Sequence, residues 1–135
     1  MLSRVKPGAL IGQDNTTLPP TRVPLYLAAA DLGVVPNRSK PAISARYTSP
    51  LKVFEAMATG LPLVASEVPS LRELLEDGRD ALLVPPDDPG ALAEGIARLA
   101  GDAALRERLG TSLSARAARH TWDARAARIL DWMEA

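Results

Sequence analysis

Two kinds of apolar pattern alternate along the chain. Short unbroken runs (Ala9-Leu10-Ile11, Leu32-Gly33-Val34-Val35, Leu61-Pro62-Leu63-Val64-Ala65 and Ala81-Leu82-Leu83-Val84) predict strands. Glycine or proline closes the first, second and fourth of them. Their lack of polar alternation is what strands buried on both faces require. Between and after them lie helix signals. Thr21 is placed to cap a helix running to Ala30, with Pro24 in its first turn. Ser70-Leu71-Arg72-Glu73 matches a capping box, with Leu71, Leu74 and Leu75 on one face and Asp77-Gly78 as the break. Asp88 caps a helix with Pro89 first and Leu92, Ile96 and Leu99 as its stripe. Another begins at Gly101-Asp102 and repeats Leu105, Leu109 and Leu113. The last, from Thr121 to Glu134, aligns Trp122, Ala126, Ile129, Leu130 and Met133. Gln13 to Pro20 and Asn37 to Thr48 read as loops.

Strands alternating with helices predict an α/β fold: a Rossmann-like parallel sheet with helices on both faces and a helical C-terminus over residues 102–135. The whole of 1–135 reads as one domain. The stretch Ser49 to Gly60 is the focus of this arrangement. Ser49 is placed as N-cap, Pro50 suits the first helical position and Gly60 suits a left-handed stop. The free N–H groups of Leu51 and Lys52 at such a start make an anion site. In parallel sheets ligands bind beyond the carboxyl ends of the strands, and the helix beginning near Pro50 is delivered to that edge.

Composition narrows the chemistry. Sixteen basic and sixteen acidic residues cancel, which gives no electrostatic footprint for nucleic acid. There is no cysteine and one histidine, so thiol catalysis, disulfides and histidine-rich metal centres are excluded. No apolar run approaches the ~20 residues of a membrane span, and Met1-Leu2-Ser3-Arg4 does not open a signal peptide, so a cytoplasmic location is expected. Neither G-x-G-x-x-G, nor the P-loop, nor G-x-S-x-G occurs. His120, between two helices, is expected in a surface or capping role. Asp31 is expected in a cap or turn contact, and Asp87 and Asp88 as turn and cap. Trp122 and Trp132 are expected in core or interface packing, and the arginines on the other face of the helix that begins at Gly101-Asp102 (Arg106, Arg108, Arg116, Arg119) in solvent.

Set in order, Ala29-Ala30-Asp31-Leu32-Gly33-Val34-Val35-Pro36, the run from Ser49 through Glu55 to Ser66, Ser70-Leu71-Arg72-Glu73, Asp77-Gly78 and Ala81 to Pro89 resemble the C-terminal, donor-binding domain of group 1 glycosyltransferases. These are the retaining enzymes of the two-Rossmann GT-B fold. The likeness runs from about Ala9 to the end. It implies a truncated C-terminal half of that fold, binding a nucleotide-sugar donor. Glu55 matches the second Glu of the family's Glu-x7-Glu motif and is expected to hold the ribose hydroxyls. The Leu51 and Lys52 N–H groups would receive the diphosphate. The backbone at Leu18 falls where the family contacts the base. The first Glu of the motif is replaced by Tyr47, so the donor sugar is expected to be met by Tyr47, Thr48 or Ser49.

The resemblance implies no metal or other cofactor, and no nucleic-acid partner. It also implies a missing N-terminal acceptor domain, without which no turnover is expected; the full-length enzyme is cytoplasmic or peripheral to the membrane. The last helix resembles the segment that crosses back to that domain, and a homodimer through the C-terminal helices is the alternative for its apolar face. Two other readings stay open: a non-catalytic nucleotide-binding or assembly domain, and the donor domain of a nucleotide-sugar epimerase.

Overall fold

The computed structural model describes residues 19–47 and 50–134. The expected strand Ala9–Ile11, Leu18, Thr48 and Ser49 lie outside them. Three strands, β1 (Gly33–Val35), β2 (Leu63–Ser66) and β3 (Leu82–Val84), form a parallel sheet in the order β1-β2-β3. Val34 pairs with Val64, and Val64 in turn with Leu82. The side-chain period of two then divides the core between the faces. Leu63 and Ala65 of β2 join Val35 with Val53, Ala56 and Met57 of helix α3 (Leu51–Thr59) on one side. Val64 joins Leu82 and Val84 on the other, against Leu99 of α5 (Pro89–Gly101) and Leu105 and Leu109 of α6 (Ala103–Arg116). Helices cover both faces, as the unbroken apolar runs require.

Several boundaries differ from expectation, each for a local reason. Helix α1 (Val23–Ala29) has Arg22, not Thr21, as its N-cap, because Arg22 N–H first closes a turn on the Pro19 carbonyl at 2.8 Å. The expected loop Asn37–Thr48 contains a helix, α2 (Ala42–Tyr47). Ala45 is its buried residue, so no apolar stripe announces it. The capping box at Ser70 does not form. Pro69 takes the first position of α4 (Pro69–Arg72), moving the N-cap back to Val68, which leaves the buried Ser70 Oγ without a hydrogen-bond partner among the described residues. The strand expected at Leu61 starts two residues later, because Leu61 N–H bonds the Ala56 carbonyl at 3.0 Å while Gly60 N–H reaches Met57. Those two bonds, with Gly60 at φ 65°, close α3 in the left-handed stop that its glycine predicts.

The C-terminal helices begin as expected. Asp88 accepts from Ala91 N–H and Asp102 from Leu105 N–H, both at 2.9 Å. Thr121 Oγ1 accepts from Ala124 N–H at 3.1 Å, starting α7 (Trp122–Glu134). Helix α6 crosses beside the amino end of β2, where Gly110 comes so close to the Gly60 carbonyl that a Cβ would lie 2.4 Å from that oxygen. The arginines expected in solvent divide: Arg108 and, just beyond α6, Arg119 are exposed, whereas Arg106 and Arg116 are half-buried. Arg106 donates to the Leu99 and Ala100 carbonyls that end α5, Arg108 to Gly78, and Arg116 to Leu74. Arg116 also pairs with Asp80, a fully buried carboxylate that accepts from Glu76 N–H and Ser112 Oγ. Trp122 and Trp132 are not core residues: both are about four-fifths exposed, and α7 buries no side chain. No helix among the described residues is long and apolar enough to cross a membrane.

Candidate functional site

Parallel strands place all three carboxyl ends, Val35, Ser66 and Val84, along one edge of the sheet. The chain leaves β1 there, forms α2, and enters α3 from the same side. Pro50, not Ser49, is the N-cap of α3, and it makes no side-chain capping bond. Its ψ of 57° is not helical, while its carbonyl already accepts from Val53 and Phe54 N–H at 2.8 and 3.3 Å. Leu51 and Lys52 are therefore the first two helical residues, whose N–H groups have no intrahelical partner. Their side chains are exposed, and so is Glu55 one turn further along. The buried side of the same helix, Val53, Ala56 and Met57, is locked into the core. The geometry is a fixed helix with its donor end and one carboxylate facing outward.

Tyr47, the last residue of α2, is 77% exposed, three residues before Pro50. Across the edge a second contact ties two loops together. Asp87, in the turn after β3, accepts hydrogen bonds from the Ser39 backbone N–H at 3.1 Å and from the Ser39 hydroxyl. Those two bonds hold the Asp87 carboxyl below its usual range, helped by the Arg38 and Lys40 charges. Asp87 has φ 59°, in the left-handed region where a non-glycine residue is uncommon. Asp88 caps α5 beside it, so both aspartates hold turn and cap positions. Asp31 is exposed in the bend before β1.

His120 is not a simple surface residue. It lies half-buried in the 3-10 turn Ala117–His120, its ring 5.3 Å from that of Phe54 on α3. Burial lowers its pKa from the ordinary value, and the charges of Arg128, Arg116 and Arg119 lower it further. Phe54, one residue before Glu55, is thus held from behind, a contact that no motif spacing reveals. Two open grooves lie elsewhere. One, lined by Gly60, Arg106, Glu107 and Gly110, follows α6 beside the amino end of β2; the other, lined by Glu67, Glu73, Glu76 and Arg116, lies beside α4. Neither includes Leu51, Lys52 or Glu55. Among the described residues, no three His, Asp or Glu side chains are grouped closely enough to share a metal ion.

The sequence model of the family described as glycosyl transferases group 1 matches residues 9–102. This chain belongs to that family. The group 1 glycosyltransferase fold extends to a solved relative, sucrose-phosphate synthase from Thermosynechococcus elongatus. It superposes with a TM-score of 0.68 at 34% identity, over 82% of this chain and 26% of that one. A D-inositol 3-phosphate glycosyltransferase of Streptomyces bingchenggensis is 38% identical over 81 residues, 60% of this chain and 18% of that protein. An exopolysaccharide phosphotransferase of Streptomyces coelicolor is 42% identical over 84 residues, 62% of this chain and 8% of that protein. The group 1 chain therefore spans about a quarter or less of the length of these relatives.

Proposed function

We propose that this chain is the donor-binding part of an enzyme that transfers a sugar from a nucleoside diphosphate to an acceptor with retention. The single observation that supports this most is α3: in a group 1 glycosyltransferase chain, its open N-terminus stands at the carboxyl edge of a parallel sheet with Glu55 exposed one turn in. In this reading the Leu51 and Lys52 N–H groups receive the diphosphate, where the helix dipole favours negative charge. Glu55 accepts two hydrogen bonds from the ribose. The sugar lies toward Tyr47, Thr48 and Ser49, and the base toward the backbone at Leu18. Preorganised N–H groups stabilise the charge that develops on the leaving diphosphate, with no metal or cofactor required. A second domain supplies the acceptor, and the whole enzyme works in the cytoplasm or at a membrane surface. The present chain alone gives binding and no turnover.

Calorimetric titration with uridine and guanosine diphosphates tests the assignment. One of the two should bind, and Glu55→Ala should weaken it about tenfold or more, since hydrogen bonds to a charged group contribute roughly 1.5–3 kcal/mol. Equal affinity in the variant would remove Glu55 from the site. The assembly reading has its own support in α7, where Trp122, Leu130, Trp132 and Met133 are all more than half exposed. Sedimentation decides it: a stable dimer that binds neither nucleotide would replace the donor-site reading with one of assembly through the C-terminal helices.

A further inference from the structure

The turn after β3 contains a residue that its own backbone does not favour. Asp87 has φ 59°, in the left-handed region where glycine fits without strain and an L side chain does not. The turn makes no local use of the carboxylate. The next residue, Asp88, already caps α5 through Ala91 N–H, and Pro89 takes the first helical position. The Asp87 side chain is exposed, and among the described residues its hydrogen-bond partner is Ser39, 48 residues earlier. Bonds made within reach of water add little net stability, because water satisfies the same groups. A glycine would therefore form the same turn with less strain, and backbone strain persists where something outside the turn requires it. The aspartate is explained by what it holds.

What it holds is the loop leaving β1. Ser39 lies between the end of β1 at Val35 and the start of α2 at Ala42. Helix α2 is six residues long and packs against α4, with Ala45 buried and Ala42, Ile43, Arg46 and Tyr47 exposed. So short a helix has no stability of its own, and its place is set from outside: by Ala45 near its centre and by the clasp three residues before its first turn. The helix ends at Tyr47, in the stretch read above as the sugar end of the site, and the chain then enters α3.

We propose that Asp87 and Ser39 are positioning residues for the sugar end of the donor: their contact, bridging the loops that leave β1 and β3, holds α2 and Tyr47 in place before the N-terminus of α3. This rests on the donor-site reading above. In this role neither residue touches the donor; they act through α2. The two ends of the site are then held differently. Leu51, Lys52 and Glu55 ride on α3, which its buried side locks into the core, so the nucleotide end does not need the clasp. The sugar end does, since a loop ordered in advance loses less conformational freedom on binding.

Calorimetry on the 135-residue chain tests this. The ligands are uridine diphosphate and uridine diphosphate glucose, and guanosine diphosphate and guanosine diphosphate mannose. The readout is the affinity of each sugar conjugate relative to its bare diphosphate. Asp87→Gly, which keeps the turn and removes the clasp, should weaken the conjugate about threefold to tenfold, as expected when one or two side chains must be ordered on binding, with the bare diphosphate unchanged. Its thermal midpoint should hold or rise, because release of the left-handed strain offsets the lost bonds. Asp87→Asn keeps an acceptor oxygen for Ser39 and tolerates the backbone, so it should restore most of the relative affinity. An unchanged relative affinity in Asp87→Gly overturns the inference and leaves the donor site standing. An equal loss for conjugate and diphosphate, with a lowered midpoint, also overturns it and makes the clasp a fastening of the fold. A chain that binds a bare diphosphate but neither conjugate has no sugar end to position, which overturns it as well. If no nucleotide binds, the donor site falls and the inference with it.

Discussion

Replacing Asp80 with alanine removes the one fully buried carboxylate among the described residues, and the structure sets the size of the effect. Asp80 Oδ2 accepts from Glu76 N–H at 3.0 Å and lies 3.0 Å from Arg116 Nε; Oδ1 accepts from Ser112 Oγ at 2.8 Å. The variant strands a backbone N–H and a hydroxyl, and leaves a three-quarters buried guanidinium without its principal counter-ion. Breaking a buried pair from one side costs about 3–5 kcal/mol. Arg116 keeps the Leu74 carbonyl and the more exposed Glu76 at 3.7 Å, which places the expected loss toward ~3 kcal/mol. Asp80→Asn should cost less, about 2 kcal/mol, because the amide oxygen can still accept from Glu76 N–H and Arg116 while its NH2 donates to the Ser112 hydroxyl, so that mainly the charge is lost. Urea unfolding followed by far-ultraviolet circular dichroism reads both values, and an unchanged m shows that the native state is the one affected. A loss below ~1 kcal/mol for the alanine variant would mean that water replaces the carboxylate and that the network does not join α6 to the α4–β3 connection.

Two further outcomes follow from the same packing. The pKa of His120 is lowered in the folded state, first by burial and then by Arg128, Arg116 and Arg119. The unfolded chain therefore takes up the proton first, and stability should fall as pH drops through the ordinary histidine value of 6.5 toward the lower folded one. His120→Gln should flatten that decline in urea midpoints between neutral and mildly acid pH, and an unchanged slope would place His120 in solvent. Gly110→Ala should cost about 1–3 kcal/mol, since its Cβ would meet the Gly60 carbonyl at 2.4 Å and one helix must shift. Gly78→Ala, with open space but φ 70°, should cost only the ~1–2 kcal/mol of a left-handed residue. Thermal midpoints of the two proteins compare them, and a harmless alanine at Gly110 would show that the crossing of α3 and α6 is loose.

The elements with strong local signals were legible from residues alone. Asp88 and Thr121 each bond an N–H in the first turn they were expected to cap, the helix expected from Gly101-Asp102 begins there with Asp102 as its cap, and Gly60 adopts the backbone its position demands. What was hidden depended on partners distant in sequence. Helix α2 escaped because a six-residue helix with Ala45 as its buried residue has no period to detect. Arg106 and Arg116 of α6 looked solvated because their carbonyl acceptors lie 6 to 42 residues away. Asp80 gave no sign of burial, since two of the three groups that stabilise it, Ser112 and Arg116, are supplied by α6. At Ser70 a valid capping pattern lost to Pro69, whose fixed φ claims the helix start.

The site shows the same division, with a consequence for how it works. Glu55 and the two free N–H groups were read from one helix, and α3 alone orients them. The cations of the neighbouring edge acquire their meaning only when the sheet order is known. Parallel pairing sends β1, β2 and β3 out at the same edge, and Asp87 then reaches 48 residues back to Ser39. A turn in an unfavourable conformation thereby fixes a loop of opposite charge. Arg38 and Lys40, flanking Ser39, favour the ionised form of the Asp87 carboxylate that makes the clasp, so the charges of the loop help to hold it. The carboxyl edge is thus ordered by two devices, a contact across 48 residues and a single helix held by its buried side.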